Sequence, residues 1–268
     1  MTNREIRSKA YGLFRTRYRE MLPAMAIIQL INFLPQMASA LLQTGVASTA
    51  AVYALQVVLA PVTAYGLARY LLKIADGDAP DTGLLFAHLM DSGLVLRIWL
   101  AALAYNGLTQ IYIAGTNLIT GNASGGSAGF ALALFALILI GMPIFLWLTM
   151  RLNLFQYAMV LDPNGRPGEW LTVSWRAMRH NVWRWFRLML SLMWPLILIL
   201  AIQIPLATQI RLMRESGAVS LDSVAAKLLP PLLASLLTIF FWALPMLGVA
   251  VFGRDLLEGR AKSAYVGK

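Results

Sequence analysis

The stretch Thr49 to Lys73, TAAVYALQVVLAPVTAYGLARYLLK, decides how this chain is read. From Thr49 to Ala68 it carries no charged side chain, and it then ends on Arg69 and Lys73. A helix of about 20 mostly apolar residues is long enough to cross the hydrocarbon core of a bilayer, and cations just beyond its end mark the cytoplasmic side. Working outward, the same test is passed by six stretches in all: about Met21 to Leu42, Thr49 to Leu72, Val95 to Ile119, Phe130 to Met150, Phe186 to Gln209 and Leu228 to Phe252. None has a carboxylate in its middle. The fold expected is an all-α membrane protein, a single transmembrane domain over residues 1–268.

The composition agrees. Of 268 residues, 59% are apolar and 13% charged, against roughly a quarter charged in soluble domains. Mean hydropathy is +0.67. Cysteine is absent, which excludes disulfides, thiolate metal sites and cysteine nucleophiles and leaves the redox compartment undecided. The net charge of +10 would suggest nucleic acid on a soluble protein, but its distribution says otherwise. Nineteen of the 22 Lys and Arg fall before the first span, in the second and fourth connections, and in the tail. Only Arg211, Arg214 and Lys227 fall on the other side. This asymmetry places both termini in the cytoplasm with six crossings, and no nucleic-acid partner is expected.

The cytoplasmic connections carry their own pattern. Residues 3–19 put Ile6, Ala10, Leu13, Phe14 and Tyr18 on one helical face with Arg4, Arg15 and Arg19 off it, as in a basic amphipathic helix lying at the membrane surface. Residues 169–185 repeat this with Leu171, Trp175, Met178, Val182 and Trp185, and residues 81–90 form a shorter version after the Asp78-Ala79-Pro80-Asp81 turn. Breaks are expected at Arg17, Gly93 and Asn181. Aligning Phe14, Met90 and Met178, at spacings of 76 and 88 residues, suggests three hairpins, each introduced by an interfacial helix. A six-pass protein with surface helices also looks periodic without any repeat.

Three stretches resemble a bacterial integral-membrane family catalogued as domain of unknown function 975, and the resemblance covers nearly the whole chain. They are Gly66-Leu67-Ala68-Arg69-Tyr70-Leu71-Leu72-Lys73 with Leu85-Phe86; Ser174 to Met178 with Asn181, Trp183, Arg184 and Phe186; and Pro245 with Phe252-Gly253-Arg254-Asp255-Leu256. The chain departs from the family pattern at His180, Val182 and Gly253. The resemblance implies a six-helix protein of the bacterial cytoplasmic membrane and supplies no reaction or cofactor.

Reactive constellations are sparse. Gly125-Gly126-Ser127-Ala128-Gly129 matches the serine-hydrolase elbow, which needs a strand before it and a His within reach. His88 and His180 are expected on the opposite face, so a flexible outer loop is the better reading. Asn122-Ala123-Ser124 is a glycosylation sequon by pattern alone. Asp76, Asp78 and Asp81 lack calcium-loop spacing and read as a solvated turn, with Asp81 capping the next helix. Gln29, Asn32, Gln36, Gln56, Asn106, Gln110 and Gln203 form a possible polar interior, as interhelical glue or as the lining of a solute cavity. Pro35, Pro61, Pro143, Pro195, Pro205 and Pro245 would suit the discontinuous helices of a transporter and are also ordinary in spanning helices. Trp175, Arg176, Arg179, Trp183, Arg184 and Arg187 pair interfacial aromatics with cations, and read as a lipid-headgroup interface.

The expected function is a non-enzymatic envelope protein organising anionic lipids or partner membrane proteins, with no cofactor. The alternative is a transporter or exporter component with an amide-lined interior; with no nucleotide-phosphate loop, an ATPase would be another subunit. An intramembrane enzyme is disfavoured by the lack of cysteine and by the expected lack of buried carboxylates and buried histidines. Ala38-Ser39-Ala40 resembles a signal-cleavage site, but the long basic region before it, and Gln29, Asn32 and Pro35 within the apolar run, do not suit a signal. N-terminal sequencing of the membrane-embedded protein is expected to read from before the first span; a mature start near Leu41 would remove that helix.

Overall fold

The computed structural model describes residues 1–41, 46–121, 141–193, 239 and 242–266, with side chains over 1–34, 57–107, 141–193, 239 and 242–258. The described residues are helices and turns without a strand, so the protein is all-α. In chain order the helices are α1 (Asn3–Leu41), α2 (Val46–Asp76), two short 3-10 turns (Thr82–Leu85 and Ala87–Met90), α3 (Ser92–Gly121), α4 (Met142–Leu152), α5 (Phe155–Leu161), α6 (Pro167–Met178), α7 (Val182–Leu192) and α8 (Ala243–Val266). Two described stretches are long and apolar enough to cross a membrane: Val57–Asp76 in α2, and Met142–Leu161 across α4 and α5. Much of the first, second and third expected spans, most of the fourth, fifth and sixth, the glycine run at Gly125, the Asn122 sequon, Pro195, Pro205, Arg211, Arg214 and Lys227 lie outside the described side chains.

The chain divides into two compact units, Met1–Asp91 with Arg184–Lys268, and Ser92–Trp183. In the first, α1, α2 and α8 pack on one another in pairs. The expected surface helix over 3–19 is not separate: α1 continues without a break at Arg17 for 39 residues, about 58 Å at 1.5 Å per residue. Its apolar face turns into the protein, with Ile6 and Ala10 fully buried and Leu13, Phe14 and Tyr18 half-buried. Arg17 bonds Glu20 one turn on at 2.7 Å and the Gly77 carbonyl at 2.9 Å. The arginine thus ties α1 to the end of α2 where a break was expected.

The α2 end is a Schellman motif. The Gly77 amide donates to the Ile74 carbonyl (2.9 Å) and the Asp78 amide to that of Lys73 (3.0 Å). Gly77 has φ +93°, the left-handed conformation this cap requires and glycine adopts without a Cβ penalty. Asp81 then caps the first 3-10 turn, accepting from the Gly83 amide, as the sequence suggests. Residues 81–90 form two 3-10 turns rather than one amphipathic helix. They lie close against α2 at Gly66, where a Cβ would stand 2.1 Å from the Leu85 carbonyl oxygen.

In the second unit α6 packs on α3, α4 and α5. Pro167 starts α6 and the Glu169 carboxylate accepts the Arg166 amide at 2.9 Å, half of a capping box. The helix ends at Met178, with Asn181 donating to the Ala177 carbonyl at 3.0 Å; the expected helix over 169–185 is therefore two helices, broken at 179–181. Its buried face is Trp170, Ser174, Ala177 and Met178, rotated from the expected face through Leu171 and Trp175. Polar handles explain the rotation: the Trp170 indole donates to the Asp162 carbonyl (2.8 Å) and the Ser174 hydroxyl to that of Arg151 (2.9 Å), which lets both be buried.

Proline does not break the described helices. Pro61 lies inside an unbroken α2 and Pro35 inside α1. Pro143 and Pro245 occupy first turns of α4 and α8, where a missing N–H leaves no helical bond unmade.

These glycines separate by sign. Gly66→Ala must push backbone from backbone and is expected to cost about 2–3 kcal/mol, and Gly77→Ala about 1 kcal/mol through its left-handed φ. Gly12, in exposed α1 with nothing within 4 Å of its Cβ position, is expected to gain up to about 1 kcal/mol as Ala. Thermal melts of the three variants in detergent check the ranking.

Candidate functional site

Two sets of arginines do different work. In the first unit Arg17, Arg184 and Arg254 are held by carboxylates, while Arg4, Arg7, Arg15, Arg19 and Arg187 are exposed. The Arg184 guanidinium bonds the Asn3 side chain at 3.1 Å, the Asp255 carboxylate at 3.3 Å and the Met1 carbonyl, and lies 5.3 Å from the Phe252 ring centre. Asp255 also accepts from the Met1 amine at 3.0 Å, and the Asn3 amide donates to the Arg184 carbonyl at 2.8 Å. Arg254 pairs with Asp76 (3.0 Å) and Glu258 (2.9 Å), and Lys73 with Asp78 (3.2 Å). Each acid of the Asp76, Asp78 and Asp81 group therefore has its own partner. Together the pairs bind the start of α1, the end of α2, α7 and α8 into one polar layer.

In the second unit Arg166, Arg176 and Arg179 are exposed, while Arg97 and Arg151 are half-buried. The unit contains five arginines against two carboxylates, Asp162 and Glu169. Arg176 and Arg179 are exposed on and just beyond α6. Arg151, at the end of α4, lies between two tryptophans, 4.2 Å from the Trp147 ring centre and 4.5 Å from that of Trp175. The two indoles meet edge to face at 5.5 Å. Such stacking favours a guanidinium over an ammonium. No ion pair joins Arg151, Arg176 or Arg179 to a carboxylate among the described residues, and the Arg151 Nε is buried without a hydrogen-bond partner.

The expected headgroup set is thus divided. Trp175, Arg176, Arg179 and Trp183 fall in the second unit, Trp183 being 63% exposed. Arg184 is committed to Asp255 and is half-buried, while Arg187 is exposed. Sequence reading missed Arg151 and Trp147 as members. Trp147 and Arg151 are four residues apart at a helix end, a spacing that puts them on one face, and that was the available signal. Of the expected polar interior, Gln29 and Asn106 are half-buried and Asn32 is exposed. The side chains of Gln36, Gln56, Gln110 and Gln203 lie outside those described.

His88 is 2% exposed and packs against Tyr65 with ring centres 4.9 Å apart; its Cε1 lies 3.2 Å from where a Gly66 Cβ would be. His180 is exposed. Neither His88 ring nitrogen has a partner in hydrogen-bonding geometry. Burial first, and then the Arg69 charge, hold its pKa below the ordinary histidine value, with the Val62 backbone pulling weakly the other way. No family model, curated protein or solved structure matches the chain.

An unfolded histidine titrates near 6.5. With the folded value lower, the unfolded chain binds the extra proton first as pH falls. The stability from keeping His88 neutral is therefore whole above about 6.5 and declines below it, through the folded value. Melting temperature is expected to fall from pH 7.5 towards 5.5 more steeply in the wild type than in His88→Leu; parallel slopes would place the sensitivity elsewhere.

Proposed function

We propose that the chain is a multi-pass protein of the bacterial cytoplasmic membrane, with six crossings arranged as three hairpins and both termini cytoplasmic, and a member of the family it resembles. Its role on this reading is non-enzymatic: it organises anionic lipids, or membrane proteins that carry them, at the level of the headgroups. The observation that carries the reading is on α4, where exposed Met142, Ile144, Leu146 and Trp147 lead directly to Arg151, which no carboxylate among the described residues pairs. Exposed apolar surface of this kind is a liability in water. In a bilayer it faces acyl chains, the tryptophan sits at the interface and the arginine meets phosphate. Leu96, Leu100 and Leu103 on α3, and Leu30 and Leu34 on α1, are also exposed, at three- and four-residue steps along one helical face, which supports the reading. The one-sided distribution of cations supports the orientation.

The absence of cysteine makes the chain its own background for accessibility mapping. A membrane-impermeant thiol reagent is expected to label Ser127→Cys and Ser216→Cys in intact cells, and Ser8→Cys and Ala79→Cys only in inverted vesicles. Protein extracted with its surrounding lipid is expected to be enriched in anionic lipid over the bulk membrane. Labelling of all four from one side would contradict the topology, and a bulk lipid composition would contradict the role.

A further inference from the structure

We propose that Arg151, held in the corner clamp that the edge-to-face rings of Trp147 and Trp175 form, is a discrete binding site for the phosphate group of an anionic lipid headgroup. This rests on the headgroup-level reading and narrows it from a diffuse basic surface to one side chain.

Three features combine at Arg151. Its guanidinium is oriented by two aromatic faces, so little side-chain freedom remains to be lost on binding. No carboxylate neutralises it among the described residues, whereas Arg17, Arg184 and Arg254 each have one. Its backbone is held as well, since the fully buried Ser174 donates to its carbonyl at 2.9 Å and so joins the end of α4 to α6. A planar fork of N–H donors in a fixed orientation matches two phosphate oxygens at once, which a lysine ammonium does not.

The surroundings select the source of the phosphate. Trp147 is 43% exposed, and the side chains preceding it on α4 are exposed and apolar. A ligand reaching Arg151 along that surface carries acyl chains. Arg179 lies four residues beyond Trp175, with helical backbone angles. It therefore stands on the side of α6 that faces the clamp and adds a second cation for a phosphodiester with a single negative charge.

The test is native mass spectrometry of the full chain released from nanodiscs of phosphatidylglycerol and phosphatidylcholine in equal amounts, with inorganic phosphate added in a parallel arm. The wild type is expected to retain phosphatidylglycerol preferentially. Arg151→Gln and Arg151→Lys are both expected to weaken that retention about tenfold, the scale of one charge-assisted bidentate contact. Arg179→Gln is expected to cost less and to lose its effect at high salt. Because the Arg151 variants could also loosen the fold, Trp147→Leu serves as a second probe: it keeps the charge, alters a half-exposed side chain and is expected to weaken retention about threefold, a part of the stacking contribution. Wild-type retention in Arg151→Lys, or in Trp147→Leu, would overturn the clamped site while leaving the headgroup reading standing. No lipid preference in the wild type would overturn both. Arg151-dependent capture of inorganic phosphate with no retained lipid would overturn the lipid assignment.

Discussion

The constraint on which the rest depends is where a guanidinium can be put in a chain this apolar. An arginine cannot lose its charge, and burying one unpaired is costly. Two solutions are visible. Arg17, Arg184 and Arg254 are satisfied internally by Glu20, Asp255, Asp76 and Glu258, and in being satisfied they join α1 to the end of α2, α7 to α8, and α8 to α2. Among the described residues Arg151 meets two indole rings and no carboxylate, and Arg176 and Arg179 are exposed. The first set ties helices together; the second makes no such tie to a carboxylate among the described residues.

The helix–turn contacts follow the same economy of space. Gly66 is small enough for the Leu85 carbonyl and the His88 ring to close on α2, and this close approach buries a histidine beside Tyr65 with Arg69 near enough to disfavour its protonation. Gly77, Asp78 and Asp81 shape the turn that brings the segment back. Packing at this turn is a physical role for Gly66 and Leu85 that requires no reaction.

Much of this was legible in the sequence because it is local. Uncharged runs with one-sided cations indicate helices, and the class is all-α; Asp81 reads as a cap from its place after a Pro turn, and Asn181 as a break. What escaped is non-local. The helix could not be seen to continue through Arg17 because the groups that hold that arginine include Gly77, 60 residues away. The face of α6 was misplaced because amphipathic spacing treats Trp170 and Ser174 as polar or edge residues, while carbonyls at Asp162 and Arg151 make their burial possible. Arg184 was grouped with the headgroup arginines because its sequence neighbours are tryptophans; its partner Asp255 is 71 residues away. Arg151 was counted for orientation alone, since the second half of its clamp, Trp175, comes from another helix.

Whether arginines paired with carboxylates and arginines without them differ in what they meet is read by magnetic-resonance distance measurement between guanidinium carbons and lipid phosphorus. The protein would be labelled at arginine, reconstituted in anionic bilayers and assigned by single Arg→Lys variants. Close phosphorus contacts are expected for Arg151, Arg176 and Arg179 and none for Arg184 or Arg254. Equal contact for Arg184 and Arg151, or no contact for any of the five, would contradict that difference.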